Sequence, residues 1–120
     1  MEIRGRRALV VDDHETTRLL VEAVLRKEGY LTDSARDGAE AIQILESHPG
    51  YELIVLDLMM PRVDGYGVIE YLQSGGFPSS LRKILLVTAS PNLVDEARLP
   101  QICDVLLKPF TGEVLLERVV

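Results

Sequence analysis

Residues 53–57 read Leu-Ile-Val-Leu-Asp, four apolar side chains in a row closed by an acid. Residues 8–12 repeat the pattern as Ala-Leu-Val-Val-Asp. A strand with one wet face alternates polar and apolar. A short run that is apolar throughout is instead buried on both sides, which points to a parallel sheet covered by helices. Further short apolar runs lie at residues 31–35, 84–87 and 105–107, and the first of these is more polar, as suits an edge strand.

Helical spacing fills the intervals. Leu20, Val21, Val24 and Leu25 mark one stripe, and Ala41, Ile42 and Leu45 another. Val68, Ile69 and Leu72 mark a third, and Val114, Leu115 and Val119 the one nearest the C-terminus. Gly29 and the pair Asp37–Gly38 read as stop and turn signals. Between residues 90 and 100 the signal is weaker. Ser90–Pro91 suits a helix start, but Pro100 follows closely, and an interior proline costs about 3 kcal/mol. A short fourth helix ending near Arg98 is expected. The whole pattern is βα repeated five times, and right-handed crossovers make it an open, doubly wound α/β sheet.

At 120 residues the chain suits one compact domain, residues 1–120. It has 47% hydrophobic and 27% charged residues, the mix of a globular protein. A single cysteine, Cys103, has no internal disulfide partner and reads as a small buried hydrophobe. The run after Arg4, Arg6 and Arg7 is too short for a signal-peptide core, and a cytoplasmic setting without membrane contact is expected. With a formal net charge of −6 and no other basic cluster, the chain is a poor nucleic-acid binder. Those three arginines read as a solvated edge.

In open α/β sheets, function gathers beyond the carboxyl ends of the strands. The residues ending the apolar runs are Asp12 and Asp13, Asp57, Thr88 and Lys108. Any one of the acids is easily explained as a helix cap or turn former. Lys108 alone reads as solvated surface, and Thr88 alone as a strand-end residue. No requirement of the fold explains all five at equivalent strand ends. Three carboxylates there repel one another and call for a cation, and all-oxygen donors favour a hard ion such as Mg²⁺. With the metal and Lys108 supplying charge, one carboxylate is left to attack a phosphoryl group. His14 and His48 read as an exposed helix-start residue and a turn residue.

These residues resemble the receiver-domain family of two-component response regulators, and the likeness covers essentially the whole chain. Val10–Val11–Asp12–Asp13 looks like the acidic pair of that family. Residues 57–65, DLMMPRVDG, look like its phosphoacceptor segment, and Thr88-Ala89-Ser90 like its switch-threonine turn. Lys108-Pro109-Phe110 resembles the lysine turn, and residues 35–42 the second strand-to-helix junction.

The resemblance implies a flavodoxin-like strand order 2-1-3-4-5 and a cis Lys108–Pro109 peptide. It implies that Asp57 takes the phosphoryl group from a histidine kinase or phosphotransfer protein. Asp13, Asp57 and the Met59 backbone carbonyl would bind Mg²⁺ directly, with Asp12 assisting through water. Thr88 and Lys108 would then hold the phosphoryl group. The kinase's phosphotransfer helix would dock on the first helix and residues 108–110.

Two departures lie on the output face. Val105 stands where the family carries an aromatic switch residue, and residues 88–108 are about two shorter than usual. Phosphorylation is therefore expected to act by ordering residues 88–99.

The rival reading is a pseudo-receiver that signals through protein contacts without phosphate. An aspartyl-phosphate hydrolase needs a second acid two residues after the nucleophile, where this chain has Met59. A flavin-binding protein needs a hydroxyl- and glycine-rich loop where this chain has Asp12-Asp13-His14-Glu15. With the last helix reaching residue 120, the chain is expected to be either a stand-alone receiver or a fragment of a longer regulator or hybrid kinase.

Overall fold

A computed structural model describes residues 6–119. Five parallel strands form one sheet: β1 (Arg6–Val11), β2 (Tyr30–Ala35), β3 (Leu53–Asp57), β4 (Lys83–Thr88) and β5 (Cys103–Leu107). Their order is β2-β1-β3-β4-β5, the flavodoxin-like order that the resemblance implied. The polar β2 is an edge strand, whereas every residue of β3 is buried. The sequence also places Arg4 at the solvated N-terminal edge, but that residue lies outside the described residues. Arg6 and Arg7 are held locally, Arg6 over the Tyr30 ring and Arg7 against the Asp33 carboxylate at 2.8 Å.

The sheet is covered on both faces, and alternate strand residues sort to each. Leu9, Ile54, Leu56 and Leu86 pack under α2 (Gly38–Ser47) and α3 (Gly65–Ser74). Val10, Val55, Leu85 and Val87 pack under α1 (Glu15–Lys27) and α4 (Gly112–Val119). Helix signals in the sequence have local causes in the fold. Asp37 caps α2 by accepting from the Glu40 N–H at 2.8 Å, and Asp64 caps α3 by accepting from the Gly67 N–H at 3.0 Å. Gly29 follows α1 with φ +98°, the left-handed conformation that glycine adopts without a side-chain clash. Cys103 is half-buried rather than sealed in the core.

The expected fourth helix does not form. Residues 91–98 instead make two separate 3-10 turns, Pro91–Leu93 and Glu96–Arg98. Within the first, the Leu93 and Val94 N–H groups reach back three residues, to Ser90 and Pro91 carbonyls. An α-helix needs the Asp95 N–H to bond the Pro91 carbonyl. Here that N–H donates to the Tyr66 hydroxyl instead, and the Asp95 side chain accepts from the Ala97 N–H to start the second turn. The prolines leave too short a run for helix propagation to overcome these local bonds. Ser90, expected as a helix cap, makes no side-chain capping bond.

Candidate functional site

The parallel register brings the predicted residues to one end of the sheet. Val11 lies beside Leu56, Asp57 beside Val87, and Thr88 beside Leu107. Hydrogen bonds continue the ladders just past the strand ends. The Asp12 N–H donates to the Ala35 carbonyl, the Leu58 N–H to Val87, and the Lys108 N–H to Thr88 at 2.8 Å. Asp12, Asp57 and Thr88 are buried polar residues, at 4%, 4% and 1% exposure, an arrangement that needs partners.

Lys108 supplies the first partner. Its ammonium lies 3.1 Å from one Asp12 oxygen and 3.7 Å from one Asp57 oxygen. One cation against this many acids leaves negative charge uncompensated. Burial first, then the Asp12 carboxylate, pushes the Asp57 carboxyl up to about 7; Lys108 opposes the rise and Asp13 adds to it.

Asp13 and His14 border the opening. One ligand atom from each of Asp12, Asp13, His14 and Asp57 lies within 4.8 Å of the others. The donor set is dominated by carboxylate oxygen, and its charge is unbalanced. A hard divalent cation such as Mg²⁺ fits both properties.

His14 is at once the exposed helix-start residue the sequence suggests and a neighbour of the acids. Its Nδ1 lies 3.2 Å from an Asp13 oxygen and 3.4 Å from an Asp12 oxygen. Its backbone N–H donates to Asp12 at 2.8 Å, and the Arg18 guanidinium donates to the Asp12 carbonyl at 2.8 Å. The acidic loop is thereby tied to α1. A histidine immediately after an acidic pair was a sequence signal for this contact. His48 lies away from the site, at the end of α2.

Met59 sits in the turn after β3 and is 55% exposed. Gly65 closes that turn. Its N–H donates to the Leu58 carbonyl at 2.8 Å, and a Cβ there would stand 2.8 Å from the Asp57 carbonyl oxygen. Only glycine admits this close approach. Thr88 is turned toward its own loop, where its hydroxyl accepts from the Ser90 N–H at 3.0 Å. The Lys108–Pro109 peptide is cis.

Val105 is half-buried on β5. A buried aromatic side chain from α3 bonds the segment after β4. Tyr66 is 8% exposed, and its hydroxyl donates to the Leu93 carbonyl at 3.0 Å and accepts from the Asp95 N–H at 2.6 Å. Its partners are 27 and 29 residues away, and no sequence signal pairs them.

Among the described residues no helix is long and apolar enough to cross a membrane.

The family model of the response regulator receiver domain matches residues 8–120. The chain is 37% identical over 122 residues to the probable transcriptional regulator ycf27 of Cyanophora paradoxa, covering 99% of this chain and 48% of that protein. Protein PilG of Pseudomonas aeruginosa is 33% identical over 115 residues, covering 93% of this chain and 83% of that protein. The chain thus spans about half the length of the ycf27 relative and most of PilG. Among solved structures, chemotaxis protein CheY4 of Vibrio cholerae superposes with a TM-score of 0.82, at 27% identity and 97% coverage of both chains.

Proposed function

Because this chain belongs to the response regulator receiver domain family, we propose that it is a phosphorylation switch whose phosphoacceptor is Asp57. The observation that carries this reading is the meeting of two buried carboxylates, Asp12 and Asp57, with the Lys108 ammonium at the strand ends. Residues 1–120 act in this reading as one receiver unit, and the donor is a sensor histidine kinase or a phosphotransfer protein.

An oxygen of ionised Asp57 attacks the phosphorus of the donor, the bond from phosphorus to the donor's leaving group breaks, and that group departs with its electron pair. The step needs positioning and charge neutralisation more than covalent machinery. Asp57 is positioned by β3 and by the tight Leu58–Gly65 turn. Lys108 supplies one positive charge to the incoming phosphoryl oxygens, moving its salt bridge from Asp57 to the product. Asp13, Asp57 and the Met59 carbonyl, with Asp12 assisting, would hold Mg²⁺, which would supply the remaining charge neutralisation when bound. Thr88 donates its hydroxyl proton to a phosphoryl oxygen, which draws the loop after β4 toward the site. The raised Asp57 carboxyl supports the metal requirement, since without added positive charge the nucleophile is half protonated near pH 7.

The relatives that extend beyond the matched region include a probable transcriptional regulator. By analogy, the output of this chain passes to an attached or separate effector protein, with no direct nucleic-acid contact by residues 1–120. The catalytic role of the chain is confined to its own phosphorylation and dephosphorylation, and its setting is the cytoplasm.

Incubation with acetyl phosphate and Mg²⁺ followed by intact-mass measurement tests the proposal. One added phosphate is expected, absent from Asp57→Asn and from a metal-free sample. Failure of the wild type to take phosphate or to bind fluoroberyllate, despite binding Mg²⁺, would replace this reading with a phosphate-independent pseudo-receiver.

A further inference from the structure

Where the sequence predicts a fourth helix, the chain is fastened to α3 at two points. The Tyr66 hydroxyl bonds the Leu93 carbonyl and the Asp95 N–H, and the Tyr66 side chain is buried. One turn further along α3, Glu70 pairs with Arg98 at 2.7 Å, and the Arg98 guanidinium lies 4.0 Å from the centre of the Tyr66 ring. Exposed ion pairs contribute little, so the buried hydroxyl carries most of the hold. It also explains why the segment runs as two 3-10 turns. The backbone N–H that would propagate a helix is spent on a side chain of another element.

Tyr66 cannot drift relative to the phosphoacceptor. It follows Gly65, which is clamped against the Asp57 and Leu58 backbone with no room for a Cβ. On the far side the fastened segment leads straight to Thr88. The Leu93 N–H donates to the Ser90 carbonyl at 3.0 Å, and the Ser90 N–H donates to the Thr88 hydroxyl at 3.0 Å. That hydroxyl also stands 3.5 Å from the Ser90 carbonyl oxygen, a long contact to which it can donate. Donating instead to an oxygen on Asp57 gives up that contact with the Ser90 carbonyl.

Resting on Asp57 as phosphoacceptor, we propose that Tyr66 is a clasp. Its hydroxyl holds residues 90–99 in the unphosphorylated arrangement, and phosphorylation and the clasp oppose one another. The segment is already tied down, so the response is release and rearrangement of a held strap, in place of the ordering expected from sequence. Tyr66 is a positioning residue here, acting through Ser90 on Thr88.

Opposition of this kind is reciprocal. If a phosphoryl group must break the clasp, removing the clasp must strengthen phosphoryl binding. Tyr66→Phe deletes the hydroxyl and keeps the ring. With Mg²⁺ and fluoroberyllate as the probe, calorimetry should show the variant binding about three- to tenfold tighter than wild type, the gain expected from losing one or two net hydrogen bonds. Amide exchange of Asp95 and its neighbours should quicken in the absence of the probe. Glu70→Gln, which cuts only the exposed pair, should change affinity less than twofold.

A merely structural tyrosine gives the opposite sign, since general loosening weakens ligand binding. Unchanged or weaker fluoroberyllate binding by Tyr66→Phe, with wild type binding well, overturns the clasp and leaves the phosphoacceptor standing. Failure of wild type to bind the probe at all overturns the phosphoacceptor and the clasp with it.

Discussion

Replacing Asp57 by Asn should make this protein more stable, by an amount that depends on pH in a defined way. The buried Asp57 carboxyl is lifted from an ordinary 3.8 to about 7. The folded state therefore holds its proton more tightly than the unfolded chain does. Stability is lost as pH rises from near 4, where the unfolded carboxyl ionises, to near 7, where the folded one does, and is flat above. At about 1.4 kcal/mol per pH unit, full ionisation in the fold costs about 4 kcal/mol. Residual solvent and relaxation at a strand end reduce this, and an Asn amide has its own burial cost. A gain of about 2 kcal/mol is expected for Asp57→Asn at pH 7.5, equivalent to about 5–10 °C in Tm for a domain of this size.

The chain has no Trp, so urea denaturation followed by far-UV circular dichroism is the appropriate assay, with EDTA present, at pH values from 4 to 7.5. The gap between variant and wild type should be small at pH 4 and open through pH 7. Mg²⁺ should then close it by stabilising wild type alone, by about 2.7 kcal/mol at a hundred times its Kd. Equal stability at pH 7.5, or a gap that does not change between pH 4 and 7.5, refutes the account of a charge-frustrated site.

Other outcomes follow from single contacts. Gly65→Ala forces a Cβ to within 2.8 Å of the Asp57 carbonyl and 2.9 Å of the Leu58 Cα; it should cost about 2 kcal/mol or more and slow phosphorylation by acetyl phosphate, measured by urea titration and intact mass. Tyr51→Phe removes the 2.7 Å bond from a buried hydroxyl to the Asp33 carboxylate and should cost about 1–2 kcal/mol at pH 7. That bond, followed by Arg7, holds the Asp33 carboxyl below its ordinary range against the cost of burial. Its contribution is therefore present at neutral pH and lost on acidification through the folded value, so the two proteins should converge in acid titrations. The Cys103 thiol is pushed up to about 11 by burial and then by Asp104; alkylation by iodoacetamide at pH 8 should run at least tenfold slower than for a free cysteine, followed by mass.

The sequence by itself determined the sheet and the contents of the site. Continuous apolar runs at residues 8–11 and 53–56 point to the interior of a covered parallel sheet, and in that setting their closing acids emerge at its carboxyl edge. Periodicity and caps such as Asp37 and Asp64 act over three or four residues, so they are readable locally. The segment after Thr88 was not. Its helix signals were real but weak, and the group that overrode them, the Tyr66 hydroxyl, lies 29 residues from the Asp95 N–H it captures. Only the packing of α3 against that segment brings them together. The same holds for the state of the site. The sequence names Asp12, Asp57 and Lys108, but the elevated Asp57 carboxyl is set by how deeply they are buried and how far apart they stand. Those are properties of the assembled tertiary structure, because charge interactions depend on distance and dielectric and not on position along the chain.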